Sequence, residues 1–347
     1  MQPISTAVLS YGMSGRVFHC PLLAVHAGFS LDAIAMRKPQ LIERYPQAKV
    51  YATIDEVLHA PSIELVVVNL PNEFHFDIAS KALRAGKHVV IEKPFTVTSA
   101  EAEKLVALAK AKNRVLTVFQ NRRWDGDFMT VKKVIAEGRL GRVVEYEAHY
   151  DRFRNYIQSN TWKEENGPGR GILYNLGSHM IDQVVSLFGK PLFVDARVGV
   201  QRTDGQVDDF YDIRMEYDNK LVILKSSYLV REPGPRYVVH GEHGSFVKYG
   251  LDPQEQALNE GKIPGSLNWG AEPEEFWGRL NTEFNGGHYN GPLETIPGSY
   301  LAFYDGVYDA IRNGKPAPVS SKQALLVIKI IEACYESSKL KKAISIS

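Results

Sequence analysis

Glu92, Lys93 and Pro94 follow directly on the β-branched run Val89, Val90 and Ile91. Such a run reads as a strand buried on both faces of a parallel sheet. Pro94 biases Lys93 toward an extended backbone. A lysine fixed where a parallel strand ends stands at the crevice where open α/β sheets bind ligands. A surface lysine in a strand-to-helix turn fits the same position. A second constellation lies in ILYNLGSHMIDQVVSLF, where Asn175, His179 and Asp182 fall at i, i+4 and i+7 of one helical stripe. A histidine with a carboxylate three residues on could relay a proton. An interior histidine satisfied by Asp182 fits equally.

A third group opens the chain. Ile4 to Leu9 reads as a strand, and SYGMSGRVFHCP follows it, with Ser10, Gly12, Met13, Ser14 and Gly15 in the turn. Gly12 and Gly15 have the spacing of the last two glycines of GxGxxG, and Ser10 holds the first glycine position. Glycines at a strand-to-helix turn let a backbone approach a pyrophosphate, which then rests on the helix N-terminus. An ordinary turn with two glycines would look the same. The second strand, Leu31 to Met36, is followed by Arg37 and Lys38 rather than an acid. An acid there would hold a ribose 2′-hydroxyl, whereas two cations suit a 2′-phosphate and so favour NADP over NAD. Solvated loop charges are the competing reading.

The elements that must position these residues alternate. Helices are expected around Pro39 to Tyr45, from Ile54 to Ala60, from Phe74 to Ala85, and after Thr98, which forms a capping box with Glu101. Strands are expected at Lys49 to Tyr51, Ile63 to Leu70 and Arg114 to Gln120. The strand Ile63 to Leu70 runs into NLPNEFH, which supplies Asn69, Pro71, Asn72 and His75. This alternation is that of a doubly wound parallel sheet, with Gly12, Asn69 and Lys93 along one edge.

The pattern changes after NRRWDGD, residues 121–127. A helix Phe128 to Glu137 closes at Gly138. Long alternating stretches follow: RVVEYEAHYDRF, PLFVDARVGVQR, DDFYDIRMEY, KLVILKSSYLV and RYVVHGEHGSFVKYG. They predict an α+β domain with a large, mainly antiparallel sheet. Gly261 to Pro297 reads as loops with room for a hairpin, and Tyr300 to Arg312 and Lys322 to Lys342 as helices. The expected division is a Rossmann domain over 1–121 and an α+β substrate-binding and oligomerisation domain over 122–347. Its strands offer more face than its helices can cover, and an uncovered apolar face predicts a homodimer or homotetramer.

Composition narrows the classes. Among 347 residues, 41 Lys and Arg stand against 40 Asp and Glu, a net charge of +1. That balance gives no attraction for nucleic acid or membrane surfaces. Cys20 and Cys334 have no CxxC partner, so a reducing compartment and no metal site are expected. No signal peptide and no bilayer-length apolar run is seen, and the expected location is the cytoplasm.

AGKHVVIEKPFTVTSAEAEKL, the glycine turn, NLPNEFH and GILYNLGSHMIDQ together resemble the Gfo/Idh/MocA oxidoreductases over nearly the whole chain. NRRWD and RYVVHGEHGSFVKYGLDPQE are similar to a subgroup that includes NADP-dependent scyllo-inositol dehydrogenases. The resemblance implies a Rossmann domain holding NAD(P) and a sheet-bearing domain holding a polyol or sugar. It makes Lys93 and His179 the catalytic lysine and histidine, places Glu92 at the cofactor, and puts Asn175 where the family usually has aspartate. His179 would then take the hydroxyl proton as hydride leaves, and Lys93 would donate a hydrogen bond to the developing alkoxide. A lysine with a lowered pKa could exchange roles with the histidine. Ser10 and Asn175 also leave room for an NADP-binding sensor without turnover, and the wider family for an NAD-dependent glycosidase.

Overall fold

The computed structural model describes residues 2–36, 44–159 and 161–346. In chain order, β1 (Ile4–Val8) leads into a single π-helical turn, Gly15–His19, continued by α1 (Cys20–Val25). Next come β2 (Phe29–Ala35), β3 (Lys49–Tyr51), α2 (Ile54–His59), β4 (Leu65–Val68), α3 (His75–Arg84), β5 (His88–Ile91), α4 (Ser99–Ala111) and β6 (Leu116–Val118). The six strands pair in parallel in the order β3-β2-β1-β4-β5-β6. Growth of the sheet reverses between β1 and β4, so the loops after those strands open a crevice at one edge. All four residues of β4 and the last three of β5 are buried, as a parallel strand covered on both faces requires. Thr98 and Glu101 close the expected capping box on α4, and Thr53 with Glu56 forms a second one on α2. Each such cap stabilises its helix by about 1 kcal/mol. The helix expected around Pro39 to Tyr45 falls mostly outside the described residues.

The chain continues with α5 (Gly126–Ala136), β7 (Val143–His149), a second π-turn (Leu173–Gly177) and α6 (Ser178–Phe188). Then follow β8 (Phe193–Gly199), β9 (Phe210–Tyr217), β10 (Lys220–Ser227), β11 (Tyr237–Gly241), β12 (Gly244–Lys248) and α7 (Gln254–Asn259). The last elements are β13 (Gly278–Phe284), β14 (Gly287–Leu293), α8 (Leu301–Arg312), α9 (Ser321–Leu340) and β15 (Ile344–Ser345). Nine strands form one sheet in the order β14-β13-β12-β11-β7-β10-β9-β8-β15, antiparallel except where β10 meets β7. The stretch RYVVHGEHGSFVKYG, expected as one strand, is the hairpin β11–β12, which turns at Glu242 and His243. The hairpin expected within 261–297 is β13–β14. Among the described residues no helix is long and apolar enough to cross a membrane.

Two compact units result. The first holds Met1–Asn121, Gln254–Trp269 and Ser299–Leu325; the second holds Arg122–Pro253, Gly270–Gly298 and Leu326–Ser347. The chain thus returns twice to the unit that a cut after residue 121 alone would close. Aromatic packing explains the return of α8: Phe303 meets Phe119 at 4.9 Å between ring centroids, and Tyr304 meets Phe29 at 5.4 Å.

The large sheet refines one expectation. Strand residues alternate between faces. The buried side takes Tyr146, Ala148, Tyr211, Ile213, Met215, Val194 and Ala196. The opposite side of β7, β8 and β9 presents Glu145, Glu147, His149, Asp195, Arg197, Asp212, Arg214 and Glu216. That face sets these charges around apolar side chains, Phe193 and Phe210 at the same parity and Leu221 and Ile223 on the neighbouring β10, so it is mixed rather than uniformly apolar. His149 sits between Glu147 (2.8 Å) and Asp151 (3.1 Å), and the hydrogen bond to Asp151, opposed by burial, holds its pKa above the usual value.

Candidate active site

In the first unit, candidate residues gather on the loops after β1, β4 and β5. Ser10 has no positive φ, so serine is tolerated at the first glycine position. Gly15 has an ordinary φ too, and its constraint is space. A Cβ there would lie 2.0 Å from the Ser10 carbonyl oxygen and 2.9 Å from Asn69 Nδ2. Any side chain would push the π-turn off the end of β1. Gly12 is exposed and donates its N–H to Ser10 Oγ at 3.2 Å, Met13 is half exposed, and Ser14 caps the turn without a side-chain hydrogen bond. The Arg16 N–H is spent on the Gly12 carbonyl at 3.0 Å, so an anion at this turn would meet the amides ahead of it.

Asn69 locks this loop. Its Nδ2 donates to the Ser10 carbonyl at 2.7 Å and reaches Ser14 Oγ at 3.5 Å. Its Oδ1 is buried and has no hydrogen-bond partner among the described residues. Pro71 accepts the N–H of Phe74 at 2.9 Å, and Asn72 begins the short 3₁₀ turn that leads into α3. His75, expected among the cofactor contacts, is fully buried beneath these loops. Its Nδ1 lies 2.8 Å from the Pro94 carbonyl and its Nε2 lies 2.9 Å from the Leu70 carbonyl. It ties the loop after β4 to the turn after β5, a bracing position rather than a contact surface. Burial, opposed by those two carbonyls, depresses its pKa.

At the end of β5, Glu92 is nearly buried and Lys93 is partly exposed. Glu92 Oε2 accepts the backbone N–H of Lys93 at 3.0 Å, and the Lys93–Pro94 peptide is cis. Burial pushes the Glu92 carboxyl up, but the hydrogen bond of His19 and the charge of Lys93 outweigh it and hold the group below the usual range. Arg37 and Lys38 lie outside the described residues. The acid within β2, Asp32, accepts hydroxyls from Ser30 (3.0 Å) and Ser5 and is not at the strand end.

A separate group of candidate residues belongs to the second unit. Gly171 has φ 93°, and its amide neighbourhood is organised by Asp208: the Leu173 N–H donates to Asp208 Oδ2 at 2.9 Å, and Tyr335 donates its hydroxyl to Oδ1 at 2.7 Å. These bonds hold the π-turn that carries Asn175. A turn one residue wider than an α-turn often marks a functional site. Positions four apart remain neighbours in it, so Asn175 and His179 still share a stripe. Asn175 is partly exposed and His179 is 4% exposed.

Asp182 does not stand ready as a relay. Its two oxygens take the Arg123 guanidinium at 2.6 and 2.7 Å, and its side chain is 1% exposed. Burial raises its pKa, against the charge and hydrogen bonds of Arg123. Removing one partner of such a buried pair costs about 3–5 kcal/mol, which makes it a fixture of α6. Gln183 adds to it, donating Nε2–H to the Arg122 carbonyl at 2.8 Å and accepting from Tyr237 at 3.0 Å. Sequence reading missed Arg123 as the partner of α6, and it missed His19. The histidine's signal was available: one polar residue inside the apolar run VFHCPLL must find a buried partner.

An open crevice at the reversal of a parallel sheet, a glycine forced by close packing, uncapped amides and an unpaired buried Asn69 oxygen all fit a dinucleotide. Comparison with known proteins agrees. Residues 4–120 match the model of the oxidoreductase family's NAD-binding Rossmann fold, and residues 132–346 match that of its C-terminal alpha/beta domain. The chain is 41% identical to the scyllo-inositol 2-dehydrogenase (NADP(+)) IolW of Bacillus subtilis strain 168, over 98% of this chain and 95% of that one. It superposes on the solved structure of yvaA from Bacillus subtilis with a TM-score of 0.97 at 40% identity, covering 100% of this chain and 99% of the other. A solved structure from Bacteroides fragilis NCTC 9343 gives a TM-score of 0.92 at 44% identity, with 99% and 100% covered. The chain therefore belongs to the Gfo/Idh/MocA family and is an NAD(P)-dependent oxidoreductase.

Proposed function

We propose that the protein transfers hydride between NADP and a CH–OH group of a polyol or cyclic sugar, an inositol-like ring being the first candidate. The observation that carries this reading is the strand end of β5, where a buried Glu92 fixes the backbone of Lys93 at the crevice edge. The name of the Bacillus subtilis relative supports both the ring and the cofactor. Ser10, Gly12, Met13, Ser14 and Gly15 would hold the pyrophosphate, with Asn69, Pro71, Asn72 and Glu92 toward the nicotinamide end. The bound dinucleotide supplies the hydride acceptor or donor. His179 takes the hydroxyl proton during oxidation and returns it during reduction. Lys93 donates to the alkoxide oxygen as charge develops, and Asn175 orients the substrate or His179. A panel of inositols, sugars and linear polyols, read by absorbance of the reduced cofactor, tests the class. Turnover without net reduction, or no turnover on any of them, overturns it.

The NADP preference rests on Arg37, Lys38 and the engagement of Asp32 elsewhere. Arg37→Ala should weaken NADP binding at least tenfold while NAD changes little, since a bidentate charged contact to the 2′-phosphate is lost. Equal weakening of both cofactors in a fluorescence titration rejects the assignment. The outer face of β7 to β10 sets acids and bases around Phe193, Phe210, Leu221 and Ile223, and a second copy would cover it by charge and apolar contact together. On this reading the protein is a homodimer or homotetramer whose dissociation is promoted by salt. A monomer mass by light scattering at micromolar concentration and low salt excludes it.

A further inference from the structure

Behind Lys93 lies a chain of buried side chains of which the reaction above uses only Glu92. The Tyr304 hydroxyl, on α8, is 2.7 Å from His19 Nδ1. His19 Nε2, at the end of the first π-turn, is 3.0 Å from Glu92 Oε1. Glu92 Oε2 in turn accepts the Lys93 N–H. His19 and Tyr304 are fully buried. The direction of the chain follows from donor counting. Burial, with the nearby Cys20 and Glu92, raises the Tyr304 phenol well above its usual range, so it is a donor. Nδ1 of His19 then accepts and Nε2–H donates. An ionised Glu92 accepts at both oxygens. Every group is satisfied with a neutral imidazole and one negative charge, and that charge sits beside Lys93.

We propose that Tyr304 and His19 are positioning residues that keep Glu92 a carboxylate behind Lys93, so that the lysine's charge is set from within the dinucleotide-binding unit. The groups facing Glu92 are His19 from the π-turn, His75 from α3 and Lys93 from its own strand end. Facing His19 are Tyr304 from α8 and the Phe119 ring at 4.4 Å. The proposal rests on the catalytic reading of Lys93, so its test reads the lysine directly.

The lysines are methylated reductively with ¹³C-formaldehyde, and the Lys93 signal is assigned by its loss in Lys93→Arg. In His19→Leu the buried carboxylate loses a donor, takes up a proton more readily and stops favouring the ammonium. The acid dissociation constant of Lys93 should rise about tenfold, the scale of losing one neighbouring opposite charge. Glu92→Gln should do the same. His19→Gln, which keeps an N–H donor, should stay within about threefold of wild type. An unmoved Lys93 titration in folded His19→Leu overturns the proposal, as does movement in Glu92→Gln alone. Should His19→Leu not fold, ¹⁵N spectra of histidine-labelled wild-type protein decide. An Nε2–H tautomer for His19, assigned by loss of its signal in His19→Gln, supports the chain; Nδ1–H overturns it. A Lys93 titration that moves as expected, in an enzyme whose Lys93→Ala variant still turns over, would keep the chain and remove the catalytic reading.

Discussion

Lys93→Ala should bind the dinucleotide nearly as wild type does and lose turnover by about 10²–10⁴-fold, the range for a positioned proton donor. The argument begins with the backbone. Lys93 is anchored through its amide to Glu92, and the following turn is braced by His75 through the Pro94 carbonyl. Neither bond involves the lysine side chain, so both persist when it is removed. The glycine turn and Asn69 hold one another independently of it. The loss should therefore fall on kcat rather than on the cofactor Kd. Lys93→Arg should recover only part, because a planar guanidinium presents its donors in a different geometry from a compact ammonium. Stopped-flow hydride transfer with matched cofactor titrations makes the comparison. A drop of less than tenfold in turnover would return Lys93 to the surface-lysine reading.

What the sequence made legible was local. Period-two runs located the strands, β3 to the residue, and Thr98 with Glu101 marked the start of α4 because a capping box is complete within four residues. The parallel pairing, though not the strand order, followed from strand–helix alternation. Partners of buried polar groups were not legible. Arg123 and Asp182 are 59 residues apart, and His19 and Glu92 are 73 apart. No periodicity encodes such a pairing; it exists only once two elements pack. His75 shows the same limit from another side. Its place beside the loop after β4 was read correctly, but whether it points at a ligand or at two carbonyls depends on the chain folding over it. The outer sheet face was in principle readable, since Glu145, Glu147 and His149 alternate with Tyr146 and Ala148.

His179→Gln should lower kcat/KM for oxidation by about 10²–10⁴-fold and abolish the acidic limb of the pH–rate profile, because the amide occupies similar space but cannot take the proton. α6 should survive the change. Asp182 on Arg123 and Gln183 on the Arg122 carbonyl anchor the helix whichever residue stands at 179. Asn175 allows a finer test on the same helix. A carboxylate there, one turn from His179, would favour the imidazolium. Oxidation needs the neutral ring, so Asn175→Asp should move the acidic limb of kcat/KM to higher pH while activity persists. The reverse reaction needs the protonated ring, so its basic limb should move the same way. An Asn175→Asp profile that overlays wild type in both directions separates the two residues, and activity found only in that variant would mean the natural chain binds cofactor without turning over. Parallel displacement of both limbs, absent in the His179→Gln background, identifies His179 as the group whose proton is exchanged.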